Sequence, residues 1–232
     1  HTDGYFRNEY NNGRLDRENM GTLRWKLSWH PSERLSLTNI ASASITRQGG
    51  YPYEKLSTGQ IAYNDTCFYR RNSFADGLTV GWSSKRVVIT SVTSVQYIDD
   101  NMTLDQDFSP EPYFTMSQIR KEWAVTEDLY AKGHRGNFHW LGGVFGFYKR
   151  SNMSAPVTFK DKGISDLIEK YPNQINPSYP ISWDERQFVL GSDFIPSNKG
   201  VALYQQSSYK YNNWDFEFGL RWDLEWDDLK YH

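Results

Sequence analysis

Apolar and polar residues alternate strictly along the thirteen residues from 214 to 226. The even positions carry only large apolar side chains, and most odd positions carry a charge: Asp215, Glu217, Arg221, Asp223 and Glu225. This period of two predicts a β-strand with one apolar and one charged face. At about 3.3 Å per residue the strand would be roughly 43 Å long. Tilted by about 45°, it would cross the roughly 30 Å hydrocarbon core of a bilayer.

The alternation recurs in weaker form along most of the chain. One face of the first strand would carry Leu23, Trp25, Leu27 and Trp29. In the next segment the alternation is interrupted at Asn39 and Ile40. Further strands are predicted in the segments 35–45, 74–82, 87–98, 123–131, 138–149 and 201–209. With a short strand near Tyr5, the pattern predicts about nine strands.

The predicted connections alternate between short and long. The short ones are 30–34, 84–86, 132–137 and 211–213, and the long ones are 47–72, 99–120 and 150–199. In a meander, alternate connections lie at the same end of the sheet. The pattern therefore predicts an all-β, antiparallel up-and-down meander with turns at one end and loops at the other, which is the layout of an outer-membrane β-barrel. One short loop helix is expected where Ile164, Leu167 and Ile168 share a face before Pro172.

Composition narrows the possible functions. The 26 Lys and Arg residues nearly balance the 28 Asp and Glu residues, for a formal net charge of −2, which argues against a nucleic-acid-binding protein. Aromatic residues make up 16% of the 232 residues, as expected for a sugar-binding β protein or for rings at a membrane interface. The single cysteine, Cys67, excludes an intramolecular disulfide and a cysteine-based metal site.

Several segments, in order, resemble the barrel domain of TonB-dependent outer-membrane receptors of the siderophore and iron-complex type. They are LRWKLSWHPSERL (23–35) with GGYP (49–52), ITSVTSVQY (89–97) with DQDFSP (105–110), VTEDLY (125–130) with FHWLGGVFGFY (138–148), and GVALYQ (200–205) with FGLRWDLE (218–225). Each phrase alone is loose, but the ordered set covers most of the chain.

The resemblance implies active transport across the outer membrane of a Gram-negative bacterium. The cargo would be a ferric siderophore, haem, cobalamin or a glycan, with energy delivered by TonB to a plug domain that these 232 residues do not include. Because such barrels have about 22 strands, and residues 227–232 do not resemble a terminal barrel strand, residues 1–232 are expected to be an internal part of the barrel. The expected partners are membrane lipid and an iron chelate or other nutrient, with no nucleic acid. No enzymatic activity, catalytic residue, metal or cofactor is expected.

Two sets of residues are predicted to carry the function. The ligand-binding set is a dense aromatic and cationic cluster in the first long connection: Tyr51, Tyr53, Tyr63, Phe68, Tyr69, Arg70 and Arg71. The membrane-facing set is Trp82, Trp140, Trp214, Phe216, Phe218, Leu220, Trp222, Leu224 and Trp226. The tyrosines of the first set could equally belong to the aromatic girdle at the membrane interface.

Three alternatives stay open from the sequence. The aromatic faces could line a soluble, carbohydrate-binding β-sandwich. The acidic row from Asp215 to Glu225 could serve a β-sheet hydrolase, although a continuous row suits a hydrated wall better than a focused carboxylate pair. The oxygen-rich group Asp99, Asp100, Asn101, Asp105 and Asp107 could bind calcium or could simply be solvated.

Overall fold

A computed structural model describes residues 1–231; His232 lies outside the described part. It contains ten strands: β1 (Glu18–Ser32), β2 (Leu35–Gly49), β3 (Phe68–Ser83), β4 (Val87–Asp105), β5 (Phe114–Arg135), β6 (Phe138–Ser154), β7 (Val157–Lys160), β8 (Gln187–Leu190), β9 (Asp193–Tyr211) and β10 (Trp214–Tyr231). The segment near Tyr5 forms isolated bridges, Thr2 with Glu18 and Arg7 with Arg14, instead of the predicted strand. The short strands β7 and β8 were not predicted, because four residues are too few to establish a period.

All the strands belong to one antiparallel sheet. Eight long strands pair in the order β1-β2-β3-β4-β5-β6-β9-β10, while β7 pairs with β5 and β8 pairs with β7. The predicted all-β up-and-down meander is therefore confirmed. The long strands have 15 to 22 residues, whereas strands of globular proteins usually have about 5–6.

Short and long connections alternate as predicted, although the long ones are shorter than expected. The first is 50–67 instead of 47–72, and the second is 106–113 instead of 99–120. The sequence misleads here because charged residues continue the strands: Asp100 lies opposite Arg120, and Asp105 lies opposite Thr115. Residues 227–231 also belong to a strand, β10, and pair with β9.

The third connection holds β7, β8 and the predicted helix. Helical turns run without a break through Asp161–Gly163, a π-helical stretch at Ile164–Lys170, and Tyr171–Ile175. Ile164 is buried at 2% exposure, as its apolar pattern suggests. Pro172 does not end the helix, which continues to Ile175. No helix in residues 1–231 has both the length and the apolar character needed to cross a membrane.

The register places every predicted apolar row on one face of the sheet. Residues that lie directly opposite each other on neighbouring strands point to the same side of the sheet. On the first three strands, Trp25 lies opposite Ala41, and Ala41 lies opposite Asp76. From β3 to β10 the opposed residues are, in order, Trp82, Ile89, Ala131, Gly142, Gln205 and Leu220. We call this side the apolar face and the opposite side the polar face. The nine residues of the predicted membrane-facing set all lie on the apolar face.

Two carboxylates in the middle of the apolar face, Asp76 and Glu127, are both hydrogen-bonded. Asn39 donates to both carboxylate oxygens of Asp76, at 2.8 and 2.6 Å, and accepts from the Trp25 indole N–H at 2.9 Å. Glu127 accepts from the hydroxyls of Ser91 and Thr93, at 2.6 and 2.5 Å. Asn39 breaks the apolar pattern because it provides the partner for a carboxylate on the neighbouring strand.

The hydrophobic core of the described residues lies outside the sheet. Leu15, Tyr63 and Cys67 form it, with Ile61 and Phe108 packed against them, at the end of the sheet that carries the long connections. Neither face of the sheet is covered by a second layer within residues 1–231, and Trp25, Trp222 and Trp226 are 61%, 53% and 48% exposed. The apolar face therefore relies on something outside these residues to shield it from water.

Candidate functional site

The two ends of the first long connection, 50–67, pack against each other and against the N-terminal segment, whereas residues 53–60 are exposed. Tyr63 is 1% exposed, and its hydroxyl donates to the carbonyl of Tyr53 at 2.6 Å. Asn8 fixes the backbone of Tyr63 from the N-terminal segment, donating to its carbonyl at 2.8 Å and accepting from its N–H at 3.1 Å. Gly50 permits the close packing, because a Cβ there would lie 2.2 Å from the Cys67 Cβ. Burial raises the pKa of the Tyr63 hydroxyl above its usual range, so Tyr63 stays neutral and holds the loop together.

Two other tyrosines of the loop present their rings outward. Tyr51 is 48% exposed and Tyr53 is 49% exposed. The Tyr53 ring packs against Phe108 with centroids 4.9 Å apart, and Tyr51 lies 6.4 Å from Tyr53. Because Phe108 comes from the β4–β5 connection, two loops jointly support this aromatic surface. Such rings combine apolar area with a hydrogen-bonding hydroxyl at little entropic cost, which suits ligand capture.

The other four residues of the predicted ligand-binding set lie at the start of β3, not in a loop, and the sheet separates them. Phe68 and Arg70 are on the apolar face, with the Arg70 guanidinium 4.4 Å from the centre of the Phe68 ring. Tyr69 and Arg71 are on the polar face. Successive strand residues point to opposite sides, so the dense sequence cluster is not one site in space.

On the polar face, Tyr69 and Arg71 belong to a charged network centred on Asp100. Arg71 binds both oxygens of Asp100, with Nε at 2.6 Å and a terminal nitrogen at 2.8 Å. Arg120 donates to the same carboxylate from β5 at 2.6 Å, and the Tyr69 hydroxyl donates at 3.2 Å. Asp100 has a side chain only 10% exposed, so it satisfies two guanidinium groups in a largely water-excluded position.

A second carboxylate extends this network across the sheet. Glu122 on β5 accepts from the Ser151 hydroxyl on β6 at 2.6 Å and pairs with Lys149 at 3.2 Å. The sequence suggests Asp100 only as a possible calcium ligand in a loop, and it does not single out Glu122. The sequence feature that predicts the network is the period of two, which continues through Asp100 on one strand and through Arg120 and Glu122 on the next. It places these charged residues on one face of paired strands.

A further polar cluster ties the long connections together. Asp105, at the end of β4, is 1% exposed; one of its oxygens accepts from the Asp65 N–H at 3.1 Å, and the other has no hydrogen-bond partner among the described residues. Its own N–H donates to the Cys67 sulfur at 3.1 Å. Asp65 in turn is ion-paired with Lys160 of β7. Burial, with added repulsion from Asp107 and Asp65, raises the pKa of Asp105 to about 6.

The proposed calcium group does not assemble. Asp99, Asn101 and Asp105 share the apolar face and Asp100 lies on the polar face, while Asp107 accepts from the backbone N–H and hydroxyl of Ser109 at 3.0 and 2.6 Å. No group of three or more His, Cys, Asp or Glu side chains within residues 1–231 is arranged to hold a metal. The acidic row of β10 runs along one exposed strand on the polar face.

Comparisons with known proteins support the fold. No family model matches the chain, and no curated protein matches it by sequence. Among solved structures, the crystal structure of the ferric yersiniabactin uptake receptor FyuA from Yersinia pestis matches 99% of this chain with a TM-score of 0.69 and 15% sequence identity. The chain spans 33% of the length of that receptor chain. At this identity the likeness shows a shared fold: the ten-stranded meander is built like part of the barrel of an uptake receptor.

Proposed function

We propose that this chain is part of the barrel of an active-transport receptor in the outer membrane of a Gram-negative bacterium. The receptor would take up a ferric siderophore, haem, cobalamin or a glycan, and a plug domain outside residues 1–232 would receive energy from TonB. One observation carries the proposal: eight long antiparallel strands present an apolar face that no other part of residues 1–231 covers. Lipid is the environment that stabilises such a face.

The polar face and the loops fit the two other parts of the proposed role. A charged, hydrogen-bonded face across β3 to β6 suits the wall of a hydrated lumen. The exposed rings of Tyr51 and Tyr53 stand at the loop end, where a ligand outside the cell would arrive. We propose that these two rings contact the ligand first and that Tyr69 and Arg71 line its path below them.

The alternatives have weaker support. A β-sandwich buries its apolar face between two sheets, but residues 1–231 form a single sheet. For the hydrolase, the acidic residues of β10 line one strand next to Arg221, which pairs with Asp223 at 2.7 Å. We propose a structural role for this row, as part of the hydrated wall.

The membrane assignment can be tested by scanning β10. Single cysteines at 216, 218 and 220 on the apolar face, and at 217, 219 and 221 on the polar face, would carry spin labels in the full-length protein reconstituted into vesicles. We expect strict alternation: labels at even positions collide with lipid-soluble oxygen, and labels at odd positions collide with a water-soluble nickel chelate. Buried Cys67 is 8% exposed, and the parent protein controls for its labelling. Equal water exposure on both faces would overturn the proposal.

A further inference from the structure

A cavity of about 480 Å³ lies at the loop end of the sheet, between the N-terminal segment and the ends of β2 and β3. Four arginines line it: Arg14, Arg17, Arg47 and Arg70. The one carboxylate in its lining, Asp65, is ion-paired with Lys160. Within residues 1–231, none of the four arginines has a carboxylate oxygen within 4 Å.

Three of these guanidinium groups are held in place by contacts that leave donors free. Arg47 donates to the carbonyls of Thr46 and Arg71, at 2.7 and 3.1 Å, and to the side-chain oxygen of Asn72 at 2.7 Å. Arg70 rests on the Phe68 ring, and Arg14 donates to the carbonyl of Gly4. A guanidinium has five N–H donors, so each group can still bind an anion while losing little conformational freedom.

The positive charge of this cavity favours binding of an anion. The chain as a whole has a formal net charge of −2, yet this cavity gathers four positive charges with no unpaired carboxylate in its lining. Asp16, outside the lining, interacts electrostatically with Arg14, and an anion in the cavity would lower the repulsion among the remaining positive charges. Phosphate matches the fork-shaped guanidinium donors, which bind two of its oxygens at once.

The position of the cavity identifies the source of the phosphate. Arg47 and Arg70 point to the apolar face. Arg70 lies four residues closer to the loop end than Phe74, and Phe74 forms a row across the sheet with Tyr97 and Trp123. Aromatic rows of this kind mark the boundary between hydrocarbon and water. The two strand arginines of the cavity therefore lie on the side of the sheet that would meet the headgroup layer, opposite the side that carries the Asp100 network.

We propose that Arg14, Arg17, Arg47 and Arg70 form a binding site for the phosphate group of a membrane lipid headgroup. The site rests on the proposed function in one respect, because the barrel is what puts the apolar face against lipid. Free phosphate in solution shares the same chemistry, and the test separates the two sources.

The experiment uses the full-length protein, purified in detergent and stripped of bound lipid. Binding is measured to phosphatidylcholine vesicles containing a lipid that ends in a phosphate monoester, to the same vesicles after enzymatic dephosphorylation, and to inorganic phosphate. We expect phosphate-dependent vesicle binding that weakens with salt. The double variant R47Q/R70Q should bind about a hundredfold more weakly, since each of the two lost charge-assisted hydrogen bonds corresponds to roughly tenfold.

The matched control is R34Q/R135Q, which removes two arginines at the short-turn end of the sheet, and it should bind like the parent. A circular dichroism spectrum matching the parent shows that each variant is folded. Equal binding by R47Q/R70Q and the parent would overturn the proposal, as would binding of inorganic phosphate without any preference for phosphorylated vesicles. If the spin labels on β10 contact lipid but phosphorylated lipid does not increase vesicle binding, the lipid-binding site is wrong and the proposed function stands. If the labels contact water on both faces, the proposed function itself is wrong.

Discussion

At the scale of single residues, burial separates side chains that the sequence presents as equivalent. Tyr51, Tyr53 and Tyr63 share one loop, but Tyr63 is 1% exposed and the other two are about half exposed. The first stabilises the loop through its hydroxyl, and the others expose their rings to solvent. Composition cannot make this distinction, because it depends on contacts with Asn8 and Phe108 from distant parts of the chain.

The first prediction concerns Asp105 and pH. Its carboxyl has a pKa of about 6 when folded and an ordinary value near 3.8 when unfolded. A raised folded pKa means that the folded form binds the proton more tightly, so the contribution to stability is fully present below about pH 4 and is lost as pH rises through about 6. We expect backbone amides around 65 and 105 to be better protected from hydrogen exchange at pH 4.5 than at pH 7.5, after correction for intrinsic rates.

The substitution Asp105→Asn supplies the comparison for that prediction. Asparagine keeps an oxygen for the Asp65 N–H but does not ionise, so protection at these amides should no longer depend on this titration. Glu111→Gln, at a half-exposed carboxylate in the connection that follows β4, should retain the parent's pH response. Identical pH profiles for the parent and Asp105→Asn would show that Asp105 does not control the loops.

At the scale of strands, the sequence predicted which way side chains point better than where strands end. A period of two survives any tilt or twist, so the apolar row of β10 and its partners on β9 could be assigned without a structure. Strand ends were misjudged around Asp99 to Asp105 because polar residues there are usual in loops, whereas in this sheet they continue the strand, with Asp99 and Asp100 opposite Lys121 and Arg120. The same charge pattern concealed the Asp100 network from the site prediction.

The second prediction tests the contribution of that network to the pairing of β3, β4 and β5. Asp100→Asn keeps the shape of the side chain but leaves Arg71 and Arg120 without their shared carboxylate. Since a hydrogen bond to a charged group contributes about 1.5–3 kcal/mol, we expect a loss of that order in the free energy of unfolding. Urea unfolding of the purified protein in detergent micelles measures it.

Asp99→Asn is the control for the strand itself. Asp99 is next to Asp100 in β4 but points to the apolar face, opposite Asn72 and Lys121. A loss of stability in Asp100→Asn that is no larger than the loss in Asp99→Asn would mean that the network contributes nothing beyond an ordinary polar position.

At the scale of the whole molecule, the two ends of the sheet differ in construction. The short-turn end consists of tight reversals such as Asn212-Asn213, where Asn212 adopts a φ of 51° that asparagine tolerates. The loop end holds the hydrophobic core, the Asp105 cluster, the arginine cavity and the exposed tyrosines. Turns only reverse the chain, whereas a packed loop can hold a binding surface in a fixed position.

The last prediction follows from this division between the ends. If the proposed function holds, Tyr51→Ser combined with Tyr53→Ser in the full-length protein should lower the affinity of ligand capture about tenfold or more, because truncating exposed aromatic anchors removes most of the contact energy of such surfaces. Assembly should be unchanged, since the loop core of Leu15, Tyr63 and Cys67 remains intact.

Tyr211→Ser is the control at the short-turn end, where Tyr211 is 57% exposed. Uptake is measured with panels of ferric chelates, haem, cobalamin and glycans, and membrane extraction measures assembly. Loss of uptake in Tyr211→Ser but not in the double variant would mean that ligand enters at the opposite end of the sheet.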